Sequence, residues 1–341
     1  MWNLSKAKIG VIIKIAITGC GVLLIVYMLR DKFDDVFAII KNCNIMLFLA
    51  SLFITISSNI ISAARLQCVF RMQDIRMSLR KTWKLYYIGY YFNIFLPTSI
   101  GGDIAKGYYA FKYCGKKANS FIAVVIDRFI GLCSIVFLSV ISIIISYRKI
   151  DSPVIPAIII GIIIVGSVVL LFFTNKKIAS FLNVLNLPIF SEKIIKQIKN
   201  LYQIIYECKK HKLLVLRAFL YSIVFQMIII ATVYLNAIAL NIDLSLSACF
   251  LVMPLVFVFS MVPSINGLGI REGAYIYFFG IFTSPENAFS LAILGDITLY
   301  SLSVVGLICY IYHKEGIAYK EIKGNTFDME TITMNTGGKN D

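Results

Sequence analysis

The sequence predicts an all-α, polytopic integral membrane protein with about six full spans and two re-entrant hairpins arranged as an inverted repeat. Its 341 residues are 59% hydrophobic, with a mean hydropathy of +0.83, and soluble domains are closer to half apolar. Several apolar runs reach the length of about 20 residues that crosses a bilayer. Two further apolar segments are interrupted by proline and glycine at corresponding places in two halves of the chain, which is typical of transporter binding sites.

Charge and cysteine content exclude several other classes of protein. The net charge of +15 comes from Lys and Arg in short connections between spans, where such residues set orientation, so no nucleic acid partner is expected. The eight cysteines are scattered without ligand spacing, and neither His211 nor His313 lies in a metal or catalytic motif. No P-loop, G-x-S-x-G or Rossmann glycine pattern occurs. We therefore predict no catalytic residue, metal or cofactor.

The chain begins with an apolar run, Ile9–Leu29, that is expected to be an uncleaved first span. The amphipathic segment Asp31–Asn42 should lie at the membrane interface. Asn44–Ala64 is the second span, and the basic residues that follow it, beginning with Arg65, place its end in the cytoplasm.

A first half of the repeat is predicted at 44–147, with a hairpin at 83–113. The arms of this hairpin, Trp83–Leu96 and Asp103–Tyr113, are each too short to span, and both flanks are basic. The hairpin should therefore enter from the cytoplasm and return to it. Ser120–Tyr147 completes the half as a full span.

The two halves are joined by one more span and a long basic segment. Val154–Phe173 is wholly apolar, and the lysine-rich connector 174–212 has isoleucine and leucine at helical spacing. Two interpretations of the connector stay open: an amphipathic cytoplasmic helix resting on anionic lipid, or a solvated connector packed against the core.

The second half is predicted at 213–312, with a hairpin at 248–282 that opens from the outside. The full spans of this half are Leu213–Leu240 and Ala288–Tyr312. Residues 1–312 thus form one transmembrane domain, and 313–341 should be a disordered polar tail. We expect a plasma (inner) membrane protein with both termini in the cytoplasm.

The interruptions of the two hairpins align with each other. Residues 97–107 read P-T-S-I-G-G-D-I-A-K-G, and residues 263–273 read P-S-I-N-G-L-G-I-R-E-G. Backbone groups freed by such a break need to be buried in protein or to line a wet cavity. Asn93 and Asn266 are expected to cap freed backbone groups. The predicted break positions are Asn93, Pro97, Gly101, Gly102, Pro263, Asn266, Gly267 and Gly269.

Ionisable residues inside membrane segments need a partner or a function, because each costs roughly 3 kcal/mol or more at the centre of a span. The candidates for substrate binding are Asp103, Lys106, Asp127, Arg128, Arg271, Glu272 and Asp296. One interpretation is a set of ion pairs that hold the hairpins together. The other is a phosphate site formed by Lys106, Arg128 and Arg271 beside the positive ends of the half-helices.

These motifs resemble the flippase-like transmembrane region of lysylphosphatidylglycerol synthetases over residues 9–312. The similarity rests on L-P-T-S-I-G-G-D-I-A-K-G, on V-V-I-D-R-F-I-G-L and, most specifically, on V-P-S-I-N-G-L-G-I-R-E-G-A. It implies lipid translocation or a related membrane-transport role for these positions. Asp103 and Asp127 stand where the family usually has glutamate, and Asp296 where a basic residue is common. No aminoacyl-transferase domain, and hence no lysyl transfer, is expected.

The predicted function is translocation of a phosphate-bearing lipid headgroup, with or without an aminoacyl or glycosyl group, through a central cavity. The partners are then a membrane phospholipid or lipid-linked substrate and, at 174–212, an anionic lipid surface. The alternative is a non-catalytic scaffold for an envelope-lipid or glycan-synthesis enzyme, and a homo-oligomer also stays open. An intramembrane aspartyl protease is disfavoured, because Gly102-Asp103 and Gly295-Asp296 match only as dipeptides.

Overall fold

Every regular element in the described part of the chain is helical. The computed structural model describes residues 2–30, 32–95, 101–146, 208–262, 264 and 267–336, with three isolated positions between 160 and 164. The helices are α1 (Trp2–Leu29), α2 (Phe33–Lys41), α3 (Ile45–Met72), α4 (Leu79–Phe95), α5 (Gly101–Cys114), α6 (Lys117–Ser146), α7 (Lys212–Ala239), α8 (Leu246–Phe259), α9 (Ile270–Phe279) and α10 (Pro285–Thr336). A short 3-10 turn, Cys208–His211, precedes α7.

Four of these helices, α3, α6, α7 and α10, are long and apolar enough to cross a bilayer. Their outer faces carry large exposed side chains, as a lipid-facing surface requires. On α7 the exposed residues recur every three or four positions, at Leu213, Leu216, Leu220, Val224 and Met227. The prediction of an all-α, polytopic membrane protein is confirmed. The predicted number of spans stays a prediction, and Val154–Phe173 lies outside the described residues.

The helices recur with the shift of 166 residues that takes Pro97 to Pro263. This shift carries the starts of α3, α4, α5 and α6 to within about three residues of the starts of α7, α8, α9 and α10. The contacts recur in the same way: α4 packs on α10, and α6 packs on α8. Each half therefore inserts its last long helix against the first hairpin arm of the other half.

The two halves are inverted relative to each other, since their equivalent first helices, α3 and α7, run antiparallel. The Asn44 backbone N–H donates to Ala239 O at 2.7 Å, Ser51 donates to Asn236, and Arg65 Nη1 donates to Ser222 Oγ at 2.9 Å. Residue numbers rise along one helix as they fall along the other. This pair forms the most extensive helix contact in the described structure.

The first hairpin closes through a glycine contact between α4 and α5. A Cβ at Gly102 would overlap the Gly89 carbonyl oxygen. The Gly102 N–H donates to Asn93 Oδ1 at 2.7 Å, so Asn93 caps freed backbone as predicted. Gly101 and Gly102 belong to α5 instead of lying in the break, so the second arm begins two residues earlier than the predicted Asp103.

The hairpin arms are short. At about 1.5 Å per residue, the 17 residues of α4 cover roughly 25 Å and the 10 residues of α9 roughly 15 Å, against a hydrocarbon core of about 30 Å. Such arms suit hairpins that turn inside the bilayer. Whether both hairpins are re-entrant stays a prediction.

A buried ionic network joins four helices at the centre of the molecule. The Arg65 guanidinium on α3 donates to both oxygens of Asp127 on α6, at 2.8 and 3.0 Å. It also donates to Tyr86 OH on α4 at 2.8 Å and to Ser222 on α7 at 2.9 Å. Tyr86 in turn donates to Asp127 at 2.6 Å. Because its partners lie on three other helices, Arg65 fixes their spacing.

This network corrects the sequence interpretation of Arg65. The predicted span ended at Ala64 with Arg65 as a cytoplasmic signal, but α3 continues for two more turns, to Met72, and Arg65 is buried. A buried charge is tolerated only when it is paired and hydrogen-bonded. The Arg65 guanidinium meets this condition because it donates hydrogen bonds to Asp127, Tyr86 and Ser222.

Two other predicted segments differ from the structure or lie outside it. The backbone of α10 is helical to Thr336, across most of the segment 313–341 for which disorder was predicted. Lysine, glutamate and alanine between 314 and 323 are good helix formers and favour the first part of this extension. The connector 174–212 is outside the described residues except for its last five, so its proposed contact with lipid stays a prediction.

We expect Gly306→Ala to destabilise the fold. Gly306 of α10 lies so close to α4 that a Cβ there would overlap the Tyr87 carbonyl oxygen. Forcing the helices apart should lower the free energy of unfolding by about 1–3 kcal/mol, measured as a drop in the thermal unfolding temperature in detergent. Gly19→Ala on α1, where a Cβ meets nothing within 4 Å, is the matched control and should not lower it. Equal unfolding temperatures for the two variants would contradict this packing.

We expect Asp127→Asn to cost about 3–5 kcal/mol of stability, because it leaves the buried Arg65 charge uncompensated. Thermal unfolding in detergent is again the measurement. Asp243→Asn, at an exposed position, should have no effect. The double variant Arg65→Met with Asp127→Leu should recover much of the loss, since apolar residues can replace a buried pair. A double variant less stable than Asp127→Asn alone would show that the pair itself is not the source of the loss.

Candidate functional site

Both halves of the repeat line one central, partly open cavity of about 310 Å³. Every helix from α3 to α10 contributes at least one wall residue. The charged wall residues are Arg65, Lys106, Asp127, Arg128 and Arg271. The neutral polar ones are Ser62, Tyr86, Tyr90, Asn93, Gln226, Ser260 and Ser303. The cavity therefore lies at the junction of the two hairpins and the two innermost spans.

At the first hairpin, two cations share one carboxylate. Asp103, in the first turn of α5, binds Lys106 Nζ through Oδ1 at 2.8 Å and Arg128 Nε through Oδ2 at 2.5 Å. Lys106 Nζ also lies 4.5 Å from the centre of the Tyr86 ring, within the range of a cation–π contact. The formal charge of this cluster is positive. Helix α5 places Asp103 and Lys106 one turn apart on the same face, and α6 supplies Arg128 across from them.

The exposure of the side chains singles out Arg128. Its side chain is 47% exposed, whereas those of Arg65, Lys106 and Arg271 are 8–12% exposed. Asp103 accepts a hydrogen bond from Nε, and Arg128 forms part of the cavity wall. Arg128 is therefore the cation that a ligand in the cavity can reach most readily.

At the second hairpin, one cation is shared between two carboxylates. Arg271 Nη2 contacts Glu272 Oε1 at 3.1 Å and also binds Asp296 of α10. Glu272 Oε2 accepts the Gly269 N–H at 2.5 Å and so caps α9. Gly267 and Gly269 both have φ +81°, a conformation that glycine adopts without steric cost. The formal charge of this cluster is negative.

Helix α1 packs directly on the second break. A Cβ at Gly21 would lie 2.9 Å from Gly269 Cα, so the two backbones touch. Ile25 and Leu29 of α1 are buried in a small apolar cluster with Ile276 of α9. The first predicted span thus packs against the second hairpin, and none of its described residues lines the cavity.

The structure brings most of the predicted site residues together. Lys106, Asp127, Arg128 and Arg271 line the cavity. Asp103, Glu272 and Asp296 are not among the wall residues, but each binds a cation that is. The ion-pair interpretation and the site interpretation therefore describe the same cluster. Among the predicted break residues, Asn93 and Gly267 also line the cavity, whereas Pro97, Pro263 and Asn266 lie outside the described residues.

The helix N-termini contribute less than the sequence suggests. The Gly102 N–H is bonded to Asn93 and the Gly269 N–H to Glu272, so part of the donor set that should attract an anion is already engaged. Attraction of an anion to this cavity then depends on side-chain cations, Arg128 first among them. Arg65, Tyr86 and Gln226 also line the cavity, and none of them was among the predicted site residues. Arg65 was interpreted as a topology signal.

Neutral polar contacts complete the wall. Tyr90 OH donates to Asn59 Oδ1 at 3.1 Å, and Ser303 Oγ donates to Tyr90 O at 3.1 Å, which ties α10 to α4 beside the cavity. In the described part of the chain, no group of three or more His, Cys, Asp or Glu side chains is placed to hold a metal ion. The chemistry of the wall is that of a polar binding cavity rich in cations.

Comparison with known families identifies the family of this chain. Neither the curated proteins nor the solved structures contain a match to the chain. The model of the family described as "Lysylphosphatidylglycerol synthase TM region" matches residues 11–306, which include both hairpins and every wall residue of the cavity. The protein therefore belongs to the lysylphosphatidylglycerol synthase transmembrane-region family.

Proposed function

We propose that this protein moves the phosphate-bearing headgroup of a lipid across the bilayer through the central cavity. The observation that carries the proposal is that Arg128, from the half with the first hairpin, and Arg271, from the second hairpin, line the same cavity. In transporters built from inverted repeats the substrate site lies at the interface of the two repeats, and a cavity lined by a cation from each half fits that plan.

The cavity suits a headgroup and not a whole lipid. Its volume of about 310 Å³ is near the lower end of the roughly 300–1,000 Å³ found for small-molecule sites. Acyl chains can remain in the membrane, against the apolar outer surface, while the headgroup passes through the polar interior. Membership of a family named for the transmembrane region of a lipid synthase supports a lipid as the substrate.

The charge pairs provide the means of binding and release. A phosphate entering the cavity competes with Asp103 for Arg128, and Asp103 keeps Lys106 as a partner when Arg128 turns toward the ligand. The loss of one ion pair is thus offset by a new charge-assisted hydrogen bond of about 1.5–3 kcal/mol. Binding that exchanges one partner for another stays reversible, as transport demands.

The location in the plasma (inner) membrane, the cytoplasmic termini and a lipid partner belong to this proposal. A scaffold for an envelope-synthesis enzyme requires no charged interior cavity, so the geometry favours transport.

We expect Arg128→Gln to slow headgroup translocation by at least about tenfold, the factor that corresponds to one lost charge-assisted hydrogen bond. The measurement is the rate at which a fluorescent phospholipid in liposomes containing the purified protein becomes accessible to a membrane-impermeant quencher. Lys106 still neutralises Asp103 in this variant, so the unfolding temperature should change little.

Arg217→Gln is the matched control, because Arg217 is exposed on α7 and does not line the cavity. Its rate should equal that of the unmodified protein. Unmodified protein that leaves the lipid distribution unchanged while co-purifying with an envelope-synthesis enzyme would replace transport with the scaffold function.

A further inference from the structure

We infer that this protein binds a proton together with the phosphate of its substrate, and that the proton is held by the carboxylate pair of Glu272 and Asp296 at the second hairpin. The inference rests on the proposed function and adds a coupling ion to it. It follows from the charge balance of the site and from the position of both carboxylates on one cation.

Glu272 and Asp296 share a single atom of Arg271. Arg271 Nη2 contacts Glu272 Oε1 at 3.1 Å and also binds Asp296 Oδ1, so the two carboxylates lie next to each other. The side chains of Arg271, Glu272 and Asp296 are 12%, 6% and 14% exposed. Two neighbouring carboxylates with little access to water repel each other when both are ionised, and a proton on one of them removes the repulsion.

Among the described residues, the other titratable groups near the carboxylate pair are the side chains of Tyr275, Tyr300 and, beside Tyr275, Cys249. Hydroxyl and thiol groups are uncharged in neutral solution, so they do not offset the negative charge. Helix α1 contacts the same hairpin through uncharged residues, and the charged residues of α4 lie in its first two turns, away from the break. Helix α2 brings Lys32 to α10, but Lys32 pairs with Glu286, ten residues before Asp296. In the described chain, Arg271 is thus the only cation that contacts the carboxylate pair.

A phosphate in the cavity changes the charge balance of the site. Without a ligand, the excess positive charge at the first hairpin balances the excess negative charge at the second. The cations that keep their carboxylates when a phosphate takes Arg128 are Arg65 with Asp127 and Lys106 with Asp103. The phosphate therefore neutralises the one cation in excess and leaves one negative charge on the carboxylate pair. Because net charge inside a membrane is costly, the loaded site gains affinity for a proton.

Asp296 is the member of the carboxylate pair that takes the proton. Glu272 Oε2 accepts the Gly269 N–H at 2.5 Å and caps α9, and an ionised acceptor makes the stronger hydrogen bond, so Glu272 keeps its charge. Arg271 then stays neutralised by Glu272. The proton comes from water, bonds to a carboxylate oxygen of Asp296 while the headgroup is in the cavity, and returns to water when the headgroup leaves.

The same proton acts on the position of the second hairpin. The ion pair of Arg271 with Asp296 ties α9 to α10, whereas that of Arg271 with Glu272 lies within α9. A proton on Asp296 removes the ionic part of the first contact and leaves the second intact. Loading of the cavity thereby weakens the connection between the hairpin and α10, which links binding to movement of the hairpin.

The first test measures binding of acyl-labelled phosphatidylglycerol to the full chain in detergent by fluorescence anisotropy. The pH is varied between about 5 and 9, the range in which a carboxylate with little access to water can titrate. The phosphodiester stays ionised throughout. If binding takes up one proton, the dissociation constant should fall by up to about tenfold for each unit by which the pH is lowered, until Asp296 is protonated in the free protein as well. A pH indicator in weakly buffered solution should report about one proton taken up per lipid bound.

Asp296→Asn should bind phosphatidylglycerol at high pH as tightly as the unmodified protein does at low pH, because the amide is neutral like the protonated acid. Its dissociation constant should not depend on pH. Asp296→Glu, which keeps an ionisable group, should retain the pH dependence. Asp243→Asn, the same change at an exposed position outside the cavity, is the matched control and should also retain it. Thermal unfolding in detergent shows whether each variant is folded.

The second test places the full chain in phosphatidylcholine liposomes with a trace of the labelled phosphatidylglycerol. A pH difference of one unit across the membrane should enrich the label in the leaflet on the alkaline side by up to about tenfold, the ratio for one proton moved per headgroup. The impermeant quencher measures the distribution. Asp296→Asn should leave the label equally distributed, and Asp243→Asn should respond as the unmodified protein does.

The two tests separate this inference from the proposed function. Proton uptake on binding that Asp296→Asn abolishes, without any lipid crossing the membrane, would support the proton site and overturn transport. Transport with an affinity independent of pH and no proton uptake would overturn the inference and leave transport standing. An affinity set by the Na⁺ concentration instead of the pH would also overturn it, because a metal cation would then supply the missing charge.

Discussion

The bidentate pair between Arg65 and Asp127 is the interaction on which the interior of this protein depends. It joins α3 to α6 and, through Tyr86 and Ser222, connects both to α4 and α7. In hydrocarbon, neither charge is tolerated without the other. The pair therefore holds the innermost helices at the separation that leaves a cavity between them, and it satisfies the deepest charges without help from a ligand.

Around this fixed centre, the two breaks carry opposite excess charge. Lys106 and Arg128 share Asp103, whereas Glu272 and Asp296 share Arg271. With Arg65 and Asp127 included, four cations of the described site pair with four carboxylates, so this cluster is formally neutral. Neutrality makes the buried cluster tolerable in a membrane, and the uneven sharing leaves Arg128 accessible. The cluster serves both the stability of the fold and the binding of an anion.

Close backbone contacts set the geometry that these charges need. Gly102 packs against Gly89 within the first hairpin, Gly306 against Tyr87 between the halves, and Gly21 against Gly269 at the second break. Small residues at contacts between membrane helices allow the backbones to approach this closely. Such contacts matter because van der Waals packing, and not the hydrophobic effect, drives helix association in the bilayer. These contacts leave little freedom in the positions of the hairpins, so the cavity residues are placed by backbone packing more than by loops.

The sequence by itself determined the membrane class and the all-helical fold, and it located the two interrupted segments, because hydropathy, helical length and Pro/Gly positions are local properties of the chain. It also named seven charged residues as candidates for the site, four of which, Lys106, Asp127, Arg128 and Arg271, line the cavity, since charge inside an apolar segment is visible without a fold. Only the tertiary structure decided which charged residues pair with each other. Arg65 is 62 positions from its partner Asp127. In the sequence, Arg65 follows an apolar run, where a basic residue is usually a topology signal. Likewise, the pairing of Arg128 with Asp103 and of Arg271 with Asp296 depends on how distant helices face one another. Sequence spacing carries no information about that orientation.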